Sequence, residues 1–194
     1  MIIRKQRKTK ETEITCILSM QSSENPGPIH SSLPFFDHLL TAMSFHGDFS
    51  LQLQGKGDIE IDPHHLVEDT GLVLGDAFAE LASESGPLKR FAHSVIPMDD
   101  ALAEVTVDVS GRPYLVYTAE YPQPLSGTFS MSLLQEFFYA FVHRGGVTLH
   151  AEVRYGSNSH HMAEALFKAL GKALKTAYTP AKGKNQVLST KGII

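Results

Sequence analysis

Asp62-Pro63-His64-His65-Leu66-Val67-Glu68-Asp69 returns later in the chain as Asn158-Ser159-His160-His161-Met162-Ala163-Glu164-Ala165. His64 and His160 are 96 residues apart, and so are His65 and His161, and Glu68 and Glu164. A lone H-H-x-x-E carries little. Two at one offset, spanning half the chain, imply a duplicated unit in which both copies kept the same donors. Imidazole and carboxylate at helical spacing are what a divalent transition metal needs.

The likeness extends outward from the motif. Residues 70–78 and 166–174 both place apolar side chains at three- and four-residue spacing, which predicts amphipathic helices. Upstream, Phe35-Phe36-Asp37-His38-Leu39-Leu40 aligns with Leu133-Leu134-Gln135-Glu136-Phe137-Phe138. Each of these helices is followed by a turn and an alternating strand, at 49–54 and 147–153. Further strands are expected at 13–20, 101–109 and 114–121, and 125–130 reads as a loop. Each half is therefore strands, helix, strand, ligand-bearing helix. The halves, 1–92 and 93–194, are expected to form one compact, internally duplicated α+β domain with sheets on one side and helices on the other.

Composition narrows the function. The chain has 194 residues, 42% hydrophobic and 20% charged, ordinary values for a globular protein with a real core. A net charge of -4 argues against a nucleic-acid protein, which normally carries a clustered basic surface. The single cysteine, Cys16, cannot form an internal disulfide and fits a reducing compartment. The first residues hold no long apolar region, and no apolar run reaches the roughly 20 residues of a membrane helix. A soluble cytoplasmic protein is expected. The unusual figure is ten histidines, used in pairs by the repeats.

On a helix His64 and Glu68, at i and i+4, share a face, and His65 and Glu68, at i and i+3, are also neighbours. Adjacent histidines diverge by roughly 100 degrees, so each pair points at two metals. Asp62 is a natural N-cap with Pro63 at the first helical position, and Asn158 or Ser159 can cap the second motif. The repeat nominates one further ligand per half, His38 and Glu136, at equivalent helix positions. The candidate set is His38, His64, His65, Glu68, Glu136, His160, His161 and Glu164. Nitrogen and oxygen donors without thiolate favour manganese, with iron or zinc also compatible. His30, His93 and His143 are read as surface residues.

These phrases, together with Ser44-Phe45-His46-Gly47, Asp108-Val109-Ser110-Gly111-Arg112-Pro113-Tyr114, Gly156-Ser157-Asn158-Ser159-His160-His161 and Ser189-Thr190-Lys191-Gly192, occur in an order that resembles the imidazoleglycerol-phosphate dehydratase family over essentially the whole chain. The resemblance implies a ribosomal protein S5 domain 2-like duplicated fold and two Mn2+ ions per active site. It also implies a 24-subunit homo-oligomer with active sites between subunits, and a lyase of histidine biosynthesis. The family reaction removes water from D-erythro-imidazole-glycerol 3-phosphate to give imidazole-acetol phosphate. The family position matching Glu136 is often histidine, in a His-Phe-Phe phrase; here a carboxylate stands in Glu136-Phe137-Phe138.

The carbon-bound proton to be removed has no carbonyl beside it to acidify it. A metal on a ring nitrogen would make the ring an electron sink as its imidazolate, from which hydroxide loss, proton loss and tautomerisation give the ketone. The resemblance nominates Glu11 as a hydroxyl contact or acid-base group reaching a neighbouring subunit's substrate. His46 is expected as a proton relay, Glu164 as a ligand that can also move protons, and Asp99 as a weaker candidate. His38, Glu11 and His46 would thus also face the substrate. Arg90, Arg112, Ser189 and Lys191 match the family's phosphate-binding positions, and arginine's planar fork suits phosphate oxygens. Residues 181–185 are read as a linker that orders when Lys191 meets phosphate.

Two other readings compete. A dinuclear metallohydrolase of a phosphorylated small molecule could use the same helices to activate water. A metal-storage or assembly protein would close the coordination and lack arginines beside the metals.

Overall fold

A computed structural model describes residues 1–21 and 27–181. The first half runs β1 (Ile3–Lys8), β2 (Thr12–Ser19), β3 (Ile29–His30), α1 (Pro34–His46), β4 (Ser50–Gly57) and α2 (His64–Glu84). The second runs β5 (Phe91–Met98), β6 (Ala101–Asp108), β7 (Tyr114–Thr118), β8 (Leu125–Ser126), β9 (Phe129–Ser130), α3 (Leu133–Gly145), β10 (Thr148–Tyr155) and α4 (Ser159–Ala177). Two four-stranded sheets have the same order, β1-β2-β4-β3 and β5-β6-β10-β7. In each, the third-listed strand pairs parallel with the last and the remaining pairs are antiparallel.

The α+β duplication expected from the sequence is present, with four additions, β1, β3, β5 and a small hairpin, and one correction; β5 runs across the expected 92/93 boundary between the halves. β1 was not foreseen, because its exposed Arg4, Gln6 and Lys8 mask a strand that meets the core mainly through Ile3. Residues 125–130 form a small hairpin rather than a plain loop, with Gly127 in the left-handed region at its turn. The correction concerns the layers: the helices lie between the two sheets. Alternation drives this. β2 buries Ile14, Cys16 and Leu18 on one face, β6 buries Ala103, Val105 and Val107, and the helices cover both. The opposite flank of each helix pair then closes against the other half.

The closure is crosswise. α1 of the first half packs on α4 of the second, and α2 packs on α3. A glycine permits each contact. A Cβ on Gly75 of α2 would lie 2.6 Å from the Phe141 carbonyl oxygen of α3, and one on Gly171 of α4 would meet the Met43 carbonyl of α1. Gly75 and Gly171 are themselves 96 residues apart, so the repeated motif and the repeated notch share one offset. Phe137 joins the layers at the centre, its ring 5.4 Å from those of both Phe36 and Phe167. The helices of each crossed pair run parallel, and each half places both its helix starts at one end of its sheet. All four ligand-bearing helix starts therefore share one end of the layer.

Candidate metal centre

The first turn of α4 is fixed by Asn158, whose side chain accepts from the backbone N–H groups of His160 and His161. In α2 the helix proper starts one residue later than expected, yet Asp62 still accepts from the His64 N–H at 2.9 Å. Adjacent histidines diverge as helix geometry requires: the His64 and His65 rings lie 80° apart, and the His160 and His161 rings 90° apart.

His38, His160 and Glu164 converge. Glu164 Oε2 is 3.2 Å from Nε2 of both His38 and His160, and donor atoms of all three lie within 4.8 Å of one another. Two of these residues come from α4 and one from α1, so crosswise helix packing assembles the group. Glu164 is buried; Lys168 holds its other oxygen at 2.9 Å. Burial pushes the Glu164 carboxyl up, but hydrogen bonds from Lys168 and His38 outweigh it and leave the group below the usual carboxylate range. Phe35 walls one side, its ring 5.1 Å from that of His160.

The first motif helix, α2, is arranged differently. His64 lies 3.8 Å from Glu68. Half-buried Glu136 does not bring a third donor to that pair within 4.8 Å among the described residues. His65 instead joins Glu11 and Asp58, its Nδ1 standing 3.3 Å from Asp58 and 3.8 Å from Glu11. The hydrogen bond to Asp58, chiefly, raises the His65 imidazole. His161 mirrors this, with Nδ1 2.6 Å from Asp100 and Nε2 3.6 Å from Asp99. Asp100 also accepts from Ser157 and Asn158, and these bonds, led by the one to His161, hold its carboxyl far below the ordinary range.

Asp58, Asp100 and Lys168 were not nominated from the sequence. Asp100 precedes β6 as Glu11 precedes β2, but the two are 89 residues apart, so the 96-residue offset of the motif does not mark it. A carboxylate on Nδ1 leaves Nε2 to carry the lone pair, the usual arrangement behind a ligating histidine. The donors are all nitrogen or carboxylate oxygen, a set suited to a hard or borderline divalent ion. The one thiol, Cys16, is buried in β2 and its pKa is pushed up to about 12 by burial, so it takes no part.

His46 ends α1, half-buried, its ring against Phe45. Burial first, then the Lys168 and Lys172 charges, hold it below the usual imidazole range against the pull of Glu164. Arg90 makes a bidentate pair with Asp108, at 2.6 and 3.1 Å, and its guanidinium lies over the Phe91 ring. Arg112 is exposed; its backbone carbonyl accepts from Thr148 Oγ1. Both arginines thus sit at the Asp108 end of β6, whereas Asp100 and His161 sit at the other, an eight-residue strand of roughly 25 Å away. The described residues of one chain do not bring these arginines beside the metal donors. Ser189, Lys191 and the proposed linker at 181–185, Ala181 apart, lie outside the described residues. His30, His93 and His143 are exposed, as expected.

A protein-family model, imidazoleglycerol-phosphate dehydratase, matches residues 31–174, which include every histidine and Glu164 of the donor groups. The chain belongs to this family. Imidazoleglycerol-phosphate dehydratase from Clostridium botulinum is 46% identical over 188 residues, covering 97% of this chain and 95% of that protein. The dehydratase from Caldicellulosiruptor saccharolyticus is 43% identical over 97% of this chain and 96% of its own. The Staphylococcus aureus dehydratase structure superposes with a TM-score of 0.84 at 37% identity, over 93% of this chain and all of that one. The Pyrococcus furiosus enzyme, solved in complex with (S)-C348, gives 0.85 at 35% identity, over 98% and 100%. Membership makes the chain a hydro-lyase of histidine biosynthesis, as the resemblance implied.

Proposed function

We propose that this chain dehydrates D-erythro-imidazole-glycerol 3-phosphate to imidazole-acetol phosphate, with two Mn2+ ions per site, in the cytoplasm. The observation that carries the reading is the convergence of His38, His160 and Glu164 across the two halves, in a member of this family. Bound manganese would supply Lewis acidity toward the ring nitrogens of the substrate imidazole. His38, His64, His160, Glu68, Glu136 and Glu164 would hold it, with His65 and His161 presenting Nε2 while carboxylates fix their other nitrogen. Glu164, kept ionised beside Lys168, suits a ligand better than a proton donor.

Glu11 is the acid-base group on the glycerol carbons: its carboxylate is exposed at the β1–β2 turn, 3.8 Å from His65. His46, held neutral, relays protons beside Glu164. Arg90 and Arg112 bind the phosphate. Because they lie at the opposite end of β6 from His161, a substrate of one ring, three carbons and a phosphate reaches both only if a second copy contributes one end. That requirement supports the reading of active sites between subunits of a 24-subunit shell.

The test is turnover of the substrate by metal-stripped protein with manganese added back, followed as ketone absorbance in alkali. Manganese-dependent ketone without free phosphate supports the dehydratase. Release of inorganic phosphate would move the chemistry to a dinuclear hydrolase.

A further inference from the structure

We propose that Asp69, acting through Thr12, is a positioning residue for Glu11; the inference rests on the role given to Glu11 above. Asp69 follows Glu68 on α2 and lies one helical turn after His65. It is buried, 6% exposed, and so is Thr12 at 4%. One Asp69 oxygen accepts from Arg7 Nε at 2.7 Å and the other from Thr12 Oγ1. A buried carboxylate with both oxygens engaged is a rigid anchor, because releasing either partner strands a polar group away from water.

From Thr12 the chain of contacts continues into the turn that carries Glu11. Thr9 Oγ1 lies 3.2 Å from Thr12 Oγ1 and accepts from the backbone N–H groups of Glu11, at 3.1 Å, and Thr12, at 2.9 Å. The Thr9 N–H donates to the Thr12 carbonyl, and the Asp58 N–H donates to the Glu11 carbonyl. The backbone on both sides of Glu11 is thereby tied to α2, to β4 and to itself, while its side chain stays 58% exposed. The helix that bears His64 and His65 and the turn that bears Glu11 become one rigid piece.

The second half shows what the clamp is for. The positions matching Asp69 and Thr12 are Ala165 and Ala101, both buried, so no such clamp exists there. The carboxylate matching Glu11 is Asp100, which is already held by His161, Ser157 and Asn158. In the equivalent turn the carboxylates, Asp99 and Asp100, both lie against His161, at 3.6 and 2.6 Å, whereas Glu11 stays 3.8 Å from His65 on a backbone held from α2. A misplacement of about 1 Å at a reacting group can cost on the order of 100-fold in rate.

The experiment measures kcat and KM of the manganese-loaded full-length protein for Thr12→Val, Thr12→Ser, Asp69→Asn and Glu11→Gln, and for Thr12→Val and Asp69→Asn in the Glu11→Gln background. Thr12→Val keeps the side-chain shape and guards against an Asp69 variant that fails to fold. Thr12→Val and Asp69→Asn should lower kcat by about 10- to 100-fold with manganese content unchanged, and Thr12→Ser should restore most of it. In the Glu11→Gln background the same changes should cost less than about twofold, since residues acting through one group are not additive. A kcat within about twofold of the parent for Thr12→Val, or an undiminished loss in the Glu11→Gln background, overturns the inference while leaving Glu11 in its role. A Glu11→Gln protein with parental kcat overturns both.

Discussion

His38 Nε2 and Glu164 Oε2 face each other at 3.2 Å although they belong to different halves of the duplicated chain. Neither half contains this contact by itself. His38→Ala and Glu164→Gln should each lower manganese content and reduce kcat by more than the roughly 10- to 100-fold that loss of even an outer partner of a ligand costs. Metal analysis of purified protein alongside turnover checks this. Full metal content in His38→Ala would remove it from the ligand set.

The notches at Gly75 and Gly171 predict a matched pair of stability losses. Alanine at either site favours a helix by about 1 kcal/mol but drives a methyl into a facing carbonyl. We expect a net loss of about 1–3 kcal/mol for each, or roughly 2–10 °C in Tm. Thermal unfolding of Gly75→Ala and Gly171→Ala is the measurement; a raised Tm would mean that the helices can separate without cost.

His46 predicts a pH dependence of stability. Its folded-state pKa lies below the unfolded value, so between the two the unfolded chain binds more protons and stability rises with pH. Stability is therefore full above about pH 6.5 and is lost as pH falls from there through the lowered value. Thermal melts of the parent and of His46→Gln should run closest near neutral pH and separate as pH falls through this window, because only the parent must charge a half-buried imidazole beside Lys168 and Lys172. Parallel curves would show that neither burial nor the Lys168 and Lys172 charges penalise the charged histidine.

Arg112 has an exposed guanidinium and its loop is held through backbone contacts. Arg112→Ala should leave Tm near the parent value and raise KM by about tenfold or more, the scale of one lost charge-assisted hydrogen bond of about 1.5–3 kcal/mol. An unchanged KM would take Arg112 out of phosphate binding.

What could be read from the chain follows physical lines. The repeated His-His-x-x-Glu phrase was visible because helix periodicity translates spacing directly into a shared face, and the structure indeed splays each histidine pair. The pairing of α1 with α4 was not visible, since two copies of one helix look alike and hydrophobic pattern does not say which copy each will meet. Gly71, Gly75 and Gly171 sit at the crossings, but a small residue does not name the helix it will meet. Asp58 and Asp100 were missed because they sit in turns, where no periodicity marks them, and meet their histidines across the fold. The resemblance pointed to Arg90 and Arg112, yet their distance from His161 appears only once β6 is laid out between them.

The crosswise helix pairing also bears on ancestry. A single half, alone, would leave one flank of both its helices bare and its glycine notch unfilled. Two identical copies related by a two-fold axis would cover each other, every contact occurring twice, as self-complementary dimers do. Such a dimer would have offered the same donors at both of its clefts. Joined in one chain, the two copies are free to differ at matching positions: one cleft has His38 where the other has Glu136, and one helix has Asp69 where the other has Ala165.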